Sequence, residues 1–369
     1  FSLAVKRVFD KLQSEAVEEG KDKDFNFEFK LSTNDIRPDR NDSVEEIEPA
    51  IEVEKYIQKF GSSYREILKK LAEQIPPLDS STKITVCIPV AAHEEQNFIY
   101  NTLKTLNLQT LSKDLFEVVI LANYPKFSKQ VRKIKLDDTM SEIERFKKDF
   151  PELKVNVLFA EMVDNAAKIG NIRAILSDVA CLRWHERQID QDHFLMRFDA
   201  DTLNIHPEAL GYYLRVFEKN PNVDGLGGPV SITPDFALRH PIGFVGGALF
   251  NLLSKRLAAK TKQFKPQGPN TLLRIGVYAK VGGYLSDFNC GEGVDLDFAV
   301  IDLRHKSSQF RAFMHTGAST RLITSERRGE VASTKATYGS QWSLRATEFG
   351  TLNKGIRSGE IKVKKKLEE

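Results

Sequence analysis

Residues 194–202 read Phe-Leu-Met-Arg-Phe-Asp-Ala-Asp-Thr, an apolar run that ends in two carboxylates separated by one alanine. In an extended backbone, residues two apart point the same way, so Asp199 and Asp201 can face one point at the end of a strand. Carboxylate oxygens suit Mg²⁺ or Mn²⁺, ions that usually share their shell with waters and substrate phosphates. The pair therefore predicts either a metal site that handles a nucleotide diphosphate, or a plain strand end at which Asp opens a turn.

Apolar runs and amphipathic stretches alternate from Thr82 onward. The predicted strands are 84–89, 116–121, 155–159 and 193–198. The predicted helices are 95–108, 141–150 and 171–187. Near-continuous apolar runs are typical of parallel strands buried on both faces. The alternation predicts an α/β fold, with a mostly parallel sheet flanked by helices and right-handed crossovers. In such sheets ligands bind at the carboxyl ends of strands, which is where the two aspartates lie.

The second half of the chain is less regular. It predicts a strand over 225–230, a helix over 244–257, turns at 268–270 and 281–284, a helix from 291 to 303 and a strand over 310–314 that ends at His315.

Three segments are expected in the chain. Residues 1–81 form a helical, acidic N-terminal extension, in which apolar residues from Ile51 to Leu71 recur at helical intervals until Pro76-Pro77 ends the helix. Residues 82–328 form the main domain. Residues 329–369 form a helical or flexible tail with a basic, solvated run near its end.

Composition narrows the function classes. A chain of 369 residues with a net charge of +3 fits one large domain plus extensions, and the charge gives no hint of a nucleic-acid surface. Three widely separated cysteines lack zinc spacing and favour a reducing compartment, so we expect a cytoplasmic protein. No apolar stretch is long enough to span a bilayer, which leaves peripheral membrane association open. The first residue is Phe1 rather than Met, so the chain can be a piece of a longer protein.

Five segments carry a resemblance to a known family. They are Ile88-Pro89-Val90 with Glu94-Glu95; Asp199-Ala200-Asp201; Gly268-Pro269-Asn270 with Arg274 and Val281-Gly282-Gly283-Tyr284; Gly291-Glu292-Gly293-Val294-Asp295-Leu296; and Thr324-Ser325-Glu326-Arg327-Arg328. In this order and spacing they resemble the family-2 glycosyltransferases of the GT-A fold, over about residues 83–328.

The resemblance implies roles for individual residues. The implied metal ligands are Asp199, Asp201 and His315, holding Mn²⁺ or Mg²⁺. The implied donor-binding residues are Pro89, Glu94, Asn123, Lys168, Arg173, Asp199, Arg327 and Arg328. The implied acceptor-side residues are Asn270, Arg274 and Gly283. Glu292 and Asp295 are the implied catalytic carboxylates, although acidic residues in the first turn of a helix also favour the macrodipole and cap free amides.

The chain departs from the family pattern at three places. Asn123 stands where the family carries an Asp that holds the nucleotide base. Ala91-Ala92-His93 replaces a common Tyr-Asn. Gly293 stands where the family carries the Asp that serves as general base. A Gln-x-x-Arg-Trp motif is also lacking, which argues against a processive polysaccharide synthase.

The sequence therefore predicts a metal-dependent enzyme that moves a sugar from a UDP- or GDP-linked donor to a hydroxyl acceptor with inversion. A retaining outcome stays open because Gly293 removes the usual base. Two other functions stay open as well: a nucleotidyltransferase and a catalytically silent nucleotide-sugar-binding module.

Overall fold

The computed structural model describes residues 47–91, 95–125, 136–162, 169–188, 191–221, 223–232, 269–284, 313–315 and 318–325. The helices expected over 244–257 and 291–303, and the tail over 329–369, lie outside these residues.

A mainly parallel sheet of seven strands forms the centre of the described part, in the order β3-β2-β1-β4-β8-β6-β9. The described strands are β1 (Ile84–Ala91), β2 (Phe116–Pro125), β3 (Val155–Met162), β4 (Phe194–Arg197), β5 (Thr202–Ile205), β6 (Gly225–Gly227), β7 (Val230–Ile232), β8 (Thr271–Arg274), β9 (Phe313–His315) and β10 (Leu322–Thr324). Strand β8 pairs antiparallel with both of its neighbours, β4 and β6. A smaller sheet has the order β5-β10-β7.

Helices cover both faces of the central sheet. The described α-helices are α1 (Pro49–Gln58), α2 (Ser62–Ala72), α3 (Ile99–Asn107), α4 (Leu136–Asp149), α5 (Ile169–Glu186), α6 (Ala209–Lys219) and α7 (Ile275–Val281). Successive β1 side chains enter opposite cores: Cys87 packs with residues of α1, α2, α5 and α7, whereas Val86 and Ile88 pack with α3, α4 and α6. The predicted α/β fold, with a mainly parallel sheet flanked by helices, is confirmed.

The expected helix over 51–71 is two helices. The helical conformation is interrupted at Gly61, whose φ of −57° and ψ of 149° are extended rather than helical. Val53 of the first helix and Leu68 of the second are fully buried, whereas Ile67 of the second is 51% exposed. A periodic apolar pattern continued across this glycine, so the sequence did not reveal the second helix start.

Buried polar groups join the amino ends of the first four strands. Glu117 accepts hydrogen bonds from Arg183 at 2.7 and 3.1 Å, from Thr85 at 3.0 Å and from Asn156 at 2.9 Å. Nε2 of His193 lies 2.9 Å from Oγ1 of Thr85. Desolvation lowers the pKa of the buried His193 to about 4, and the nearby cation Arg183 acts in the same direction.

Strand β3, at the edge of the sheet formed by the described strands, meets a side chain from beyond α2. The backbone N–H of Phe159 donates to Oε1 of Gln74 at 2.8 Å, and Nε2 of Gln74 donates to the Phe159 carbonyl at 3.4 Å. One amide side chain thus pairs with both backbone groups of one edge residue. No helix in the described segments has the length and hydropathy needed to cross a bilayer.

Candidate functional site

An acidic turn follows β4 and leads into β5. The Asp199 carbonyl accepts hydrogen bonds from the backbone N–H of Thr202 at 3.2 Å and from its Oγ1 at 2.8 Å. From α3, Oγ1 of Thr102 lies 2.6 Å from the Ala200 carbonyl oxygen and 2.9 Å from that of Thr202. These bonds use the backbone groups of the turn, so its conformation is set by the fold.

Asp199 is held by a cation from the start of α5. Nη2 of Arg173 donates to Oδ1 of Asp199 at 2.6 Å, and the two side chains are only 10% and 14% exposed. A short, largely shielded bond between ionised groups restricts the carboxylate more than a surface ion pair does. The structure therefore brings together two residues that the sequence placed at the donor site.

Asp201 is held from another direction, by the last residue of β10 and the residue that follows the strand. Oγ of Ser325 donates to Oδ2 of Asp201 at 2.6 Å, while Oγ1 of Thr324 lies 3.4 Å from Oδ1. The backbone N–H of Ser325 also donates to the Asp201 carbonyl at 3.0 Å. Both Asp201 and Ser325 are buried. The second aspartate is thus fixed by a segment more than a hundred residues away in the chain.

Strand register places further predicted residues at the same edge of the sheet. Asn123 pairs with Ala91 near the carboxyl ends of β2 and β1, and Pro89 lies two residues earlier in β1. The backbone of His315, at the end of β9, pairs with Gly227 of β6. Because β1, β2, β4, β6 and β9 run in one direction, these residues share the carboxyl edge with the acidic turn.

Asn123 carries an unsatisfied group at this edge. The residue is 4% exposed, and Oδ1 accepts no hydrogen bond from the described residues. Leaving a buried acceptor unpaired is costly, so such an atom fits a position where a ligand supplies a donor.

Asn270 lies at the same edge but its side chain serves the fold. Oδ1 accepts a hydrogen bond from Tyr213 at 2.7 Å, and Nδ2 donates to the carbonyls of Thr320 at 2.7 Å and Pro229 at 3.2 Å. The residue is fully buried. These bonds give Asn270 a structural role that the sequence did not indicate.

Arg274 lies at the opposite edge of the sheet. It pairs with Phe194 at the start of β4, and its Nε donates to the Val223 carbonyl at 2.8 Å. Its guanidinium forms an ion pair with Asp192 and stands 4.8 Å from the ring centroid of Phe217. The antiparallel direction of β8 explains why Asn270 and Arg274, four positions apart, reach opposite ends of the sheet.

Gly283 lies in the turn that ends α7. Gly282 and Gly283 have φ values of 89° and 75°, the left-handed region that favours glycine. The predicted turn over 281–284 is confirmed. Six predicted site residues lie outside the described part of the chain: Glu94, Lys168, Glu292, Asp295, Arg327 and Arg328.

The described donor set fits a divalent ion shared with a substrate. Among the described residues, no group of three or more His, Cys, Asp or Glu side chains could hold a metal by itself. Mg²⁺ in particular is usually bound through one or two carboxylates together with substrate phosphates and waters. Asp199 and Asp201 supply two such carboxylates, whose oxygens retain lone pairs beside their hydrogen bonds.

Two partners of the acidic turn were missed from the sequence. Ser325 stood within a segment noted for its arginines, and Thr102 carried no signal because its role depends on helix α3 packing against the turn. Both act through contacts between distant parts of the chain.

Comparisons with known proteins find similarity only among solved structures. No protein-family model matches the chain, and no curated protein matches it in sequence. The crystal structure of S. aureus TarS 1-349 is 13% identical, with a TM-score of 0.42, and the match covers 66% of this chain and 61% of that one. The match thus spans less than two thirds of the TarS chain.

Two further solved structures are similar at the same level. Mannosyltransferase PcManGT from Pyrobaculum calidifontis, in complex with GDP-Man and Mn²⁺, is 17% identical with a TM-score of 0.43, covering 74% of this chain and 67% of that one. Glucosyl-3-phosphoglycerate synthase from Mycobacterium tuberculosis, in complex with Mn²⁺ and UDP-Glc, is 12% identical with a TM-score of 0.40, covering 68% and 72%. At this level of similarity, the activity has to be inferred from the residues of this chain.

Proposed function

We propose that this protein is a metal-dependent glycosyltransferase of the GT-A type, which moves a sugar from a UDP- or GDP-linked donor to a hydroxyl acceptor. One observation carries the proposal: Asp199 and Asp201 leave the carboxyl end of a central strand together, and separate elements hold each carboxylate. Arg173 holds the first and Ser325 holds the second. The arrangement supports a metal site because both carboxylates are held at the carboxyl edge of the sheet, where ligands bind in open α/β sheets.

Breaking the bond between sugar and diphosphate places negative charge on the departing diphosphate. A divalent ion held by these carboxylates would neutralise that charge as a Lewis acid. In the proposed site Asp201 would contact the ion directly, and Asp199 would bind the ribose or hold the ion through water. Arg173 keeps Asp199 oriented, and Ser325 does the same for Asp201.

We assign recognition of the nucleotide base to Asn123. Its buried Oδ1, which has no hydrogen-bond donor among the described residues, can accept from an N–H of uracil or guanine. The amide thus takes the place of the acidic residue expected there by resemblance. Its side-chain NH₂ adds a donor that a carboxylate lacks.

The acceptor hydroxyl must lose a proton during an inverting transfer. We assign the role of the general base that accepts this proton to Glu292, with Asp295 as the second choice. Both carboxylates belong to the segment that resembles the family's base motif. Gly293, at the position of the usual base, favours one further candidate: a module that binds the nucleotide sugar without turning it over.

The test combines nucleotide binding with donor hydrolysis. We expect UDP or GDP with Mn²⁺ to raise the melting temperature, Asp201→Ala to abolish the rise, and Asp114→Ala to leave it intact, since Asp114 is a 75% exposed surface carboxylate. No rise with either nucleotide, with Mn²⁺ or with Mg²⁺, would overturn the proposal.

Hydrolysis of UDP-GlcNAc, UDP-Glc and GDP-Man without acceptor then separates the enzyme from the silent module. Slow turnover that is lost in Asp201→Ala supports the transferase. Nucleotide binding with no turnover in either protein supports the silent module instead.

A further inference from the structure

A buried carboxylate in α5 binds three tyrosine hydroxyls. Asp178 is 3% exposed. Its Oδ1 accepts hydrogen bonds from Tyr56 at 2.8 Å and from Tyr278 at 2.9 Å, and its Oδ2 accepts one from Tyr64 at 2.7 Å. The three donors come from α1, α2 and α7, so one side chain joins four helices. A buried carboxylate without such donors would be strongly destabilising.

The hydroxyls in this cluster remain protonated donors. Burial, followed by the charge of Asp178, raises the pKa of Tyr56, Tyr64 and Tyr278 well above the ordinary value for tyrosine. The cluster therefore has a fixed arrangement of donors and acceptor across the range in which the protein would work. Such an arrangement suits positioning rather than proton transfer.

Helix α1 lies directly against α7. A Cβ on Gly276 would stand 2.8 Å from Cα of Pro49, so the two helices approach too closely for any side chain there. Nζ of Lys280 lies 3.3 Å from Oε1 of Glu52. The contact extends along α7 and reaches the turn that follows it.

The Tyr56 hydroxyl has a second contact, with that turn. A Cβ on Gly283 would overlap the Tyr56 hydroxyl oxygen, and it would lie 2.9 Å from the Tyr278 hydroxyl oxygen and 3.1 Å from Cζ of Tyr56. The turn is closed by the N–H of Gly283, which donates to the Tyr278 carbonyl at 3.0 Å. Tyr56 therefore donates to Asp178 and at the same time fills the space beside Gly283.

We propose that Tyr56 and Asp178 are positioning residues that fix the Gly282-Gly283 turn. The chain continues from this turn into 285–300, which holds Glu292 and Asp295. A bearing of the turn on these two carboxylates rests on the proposed function. The mechanical link between α1 and the turn stands independently and can be measured without substrate.

A double-mutant cycle measures the link. Gly283→Ala should lower the melting temperature. Its effect should be smaller by at least about 3 °C in a Tyr56→Phe background, because the nearest overlapping oxygen is gone, although the left-handed φ and the Tyr278 hydroxyl at 2.9 Å still oppose a side chain there. Tyr64→Phe is the matched control, since it also removes a hydroxyl from Asp178 but is not among the atoms nearest a Cβ at Gly283. Additive effects in the Tyr56 cycle, as in the Tyr64 cycle, would overturn the proposal.

Amide hydrogen exchange gives a second readout that does not need Gly283→Ala to fold. Tyr56→Phe should speed exchange at Gly282 and Gly283 on the order of tenfold relative to wild type, whereas Tyr64→Phe should not. Equal exchange at this turn in the two variants would contradict a positioning role. Failure of wild type to bind UDP or GDP with Mn²⁺ would instead count against the proposed function, so the two failures are distinguishable.

Discussion

Arg173 and Asp199 form a short ion pair, 2.6 Å from Nη2 to Oδ1, that joins the start of α5 to the end of β4. Both side chains are largely shielded from solvent, so the pair is screened less than a surface contact. The first carboxylate of the acidic turn is therefore oriented before any ligand arrives.

The variant Arg173→Gln tests this orientation. Removing the guanidinium frees Asp199 to rotate, so we expect the affinity for Mn²⁺, measured by electron paramagnetic resonance in the presence of UDP or GDP, to fall about 10- to 100-fold. Arg187→Gln, at an exposed position just beyond the same helix, is the control and should bind like wild type. Unchanged affinity in Arg173→Gln would show that Asp199 needs no such partner.

The second carboxylate offers a graded comparison. Ser325→Ala removes a 2.6 Å hydrogen bond to Asp201, and Thr324→Val removes a hydroxyl that lies 3.4 Å away. We expect Ser325→Ala to weaken Mn²⁺ binding about tenfold and Thr324→Val to weaken it less, because the longer contact is the weaker one. The reverse order in a calorimetric titration would contradict this assignment.

Acid should destabilise the fold through His193. Its pKa in the folded protein, about 4, lies below the ordinary 6.5, so between these values the unfolded chain binds a proton that the folded protein does not. The free energy of unfolding then falls as pH falls through this window, by up to about 3 kcal/mol from this one group.

Urea unfolding at pH 7, 5.5 and 4.5 measures the effect. In His193→Gln the amide can still hydrogen-bond to Thr85, but no group at position 193 titrates. The free energy of unfolding of this variant should therefore fall less steeply than that of wild type as the pH is lowered. Parallel pH profiles for the two proteins would rule out His193 as the source.

The ion pair between Glu117 and Arg183 should be costly to break. Both side chains are almost completely buried, at 4% and 3% exposed. Glu117→Gln leaves an uncompensated cation in the core, so we expect the free energy of unfolding to drop by about 3–5 kcal/mol in urea titrations. Glu66→Gln breaks an ion pair with Lys70 in which both side chains are exposed to solvent. This variant should leave the unfolding midpoint unchanged.

Local patterns in the sequence predicted the parts of the fold that depend on local physics. The apolar run at 84–89 indicated β1 because a strand buried on both faces needs apolar residues at every position. The aspartates at 199 and 201 were found because an apolar run ends in them. The chain forms a turn there, however, and not the extended backbone from which the sequence predicted that both side chains face one point. The break at Gly61 was missed because the helical periodicity continued on both sides of it.

The other features of the fold and of the site depend on contacts between residues far apart in the chain, and no local sequence pattern predicts such contacts. Arg274 was expected beside Asn270 at the acceptor side, yet the direction of β8 carries it to the other edge of the sheet. Asp178 looked like an ordinary helix residue, since its partners Tyr64 and Tyr56 lie 114 and 122 positions away. Such contacts follow from the packing of whole elements and cannot be read from spacing.

The pairing of Gln74 with Phe159 bears on how this molecule behaves when concentrated. A bare strand edge offers peptide groups to which a neighbouring molecule can add its own strand, the first step toward insoluble aggregates. The glutamine amide occupies one of those docking points on β3 with the same donor and acceptor that an incoming chain would present. The Gln74 side chain thus helps to prevent strands of other molecules from adding to the edge of this sheet.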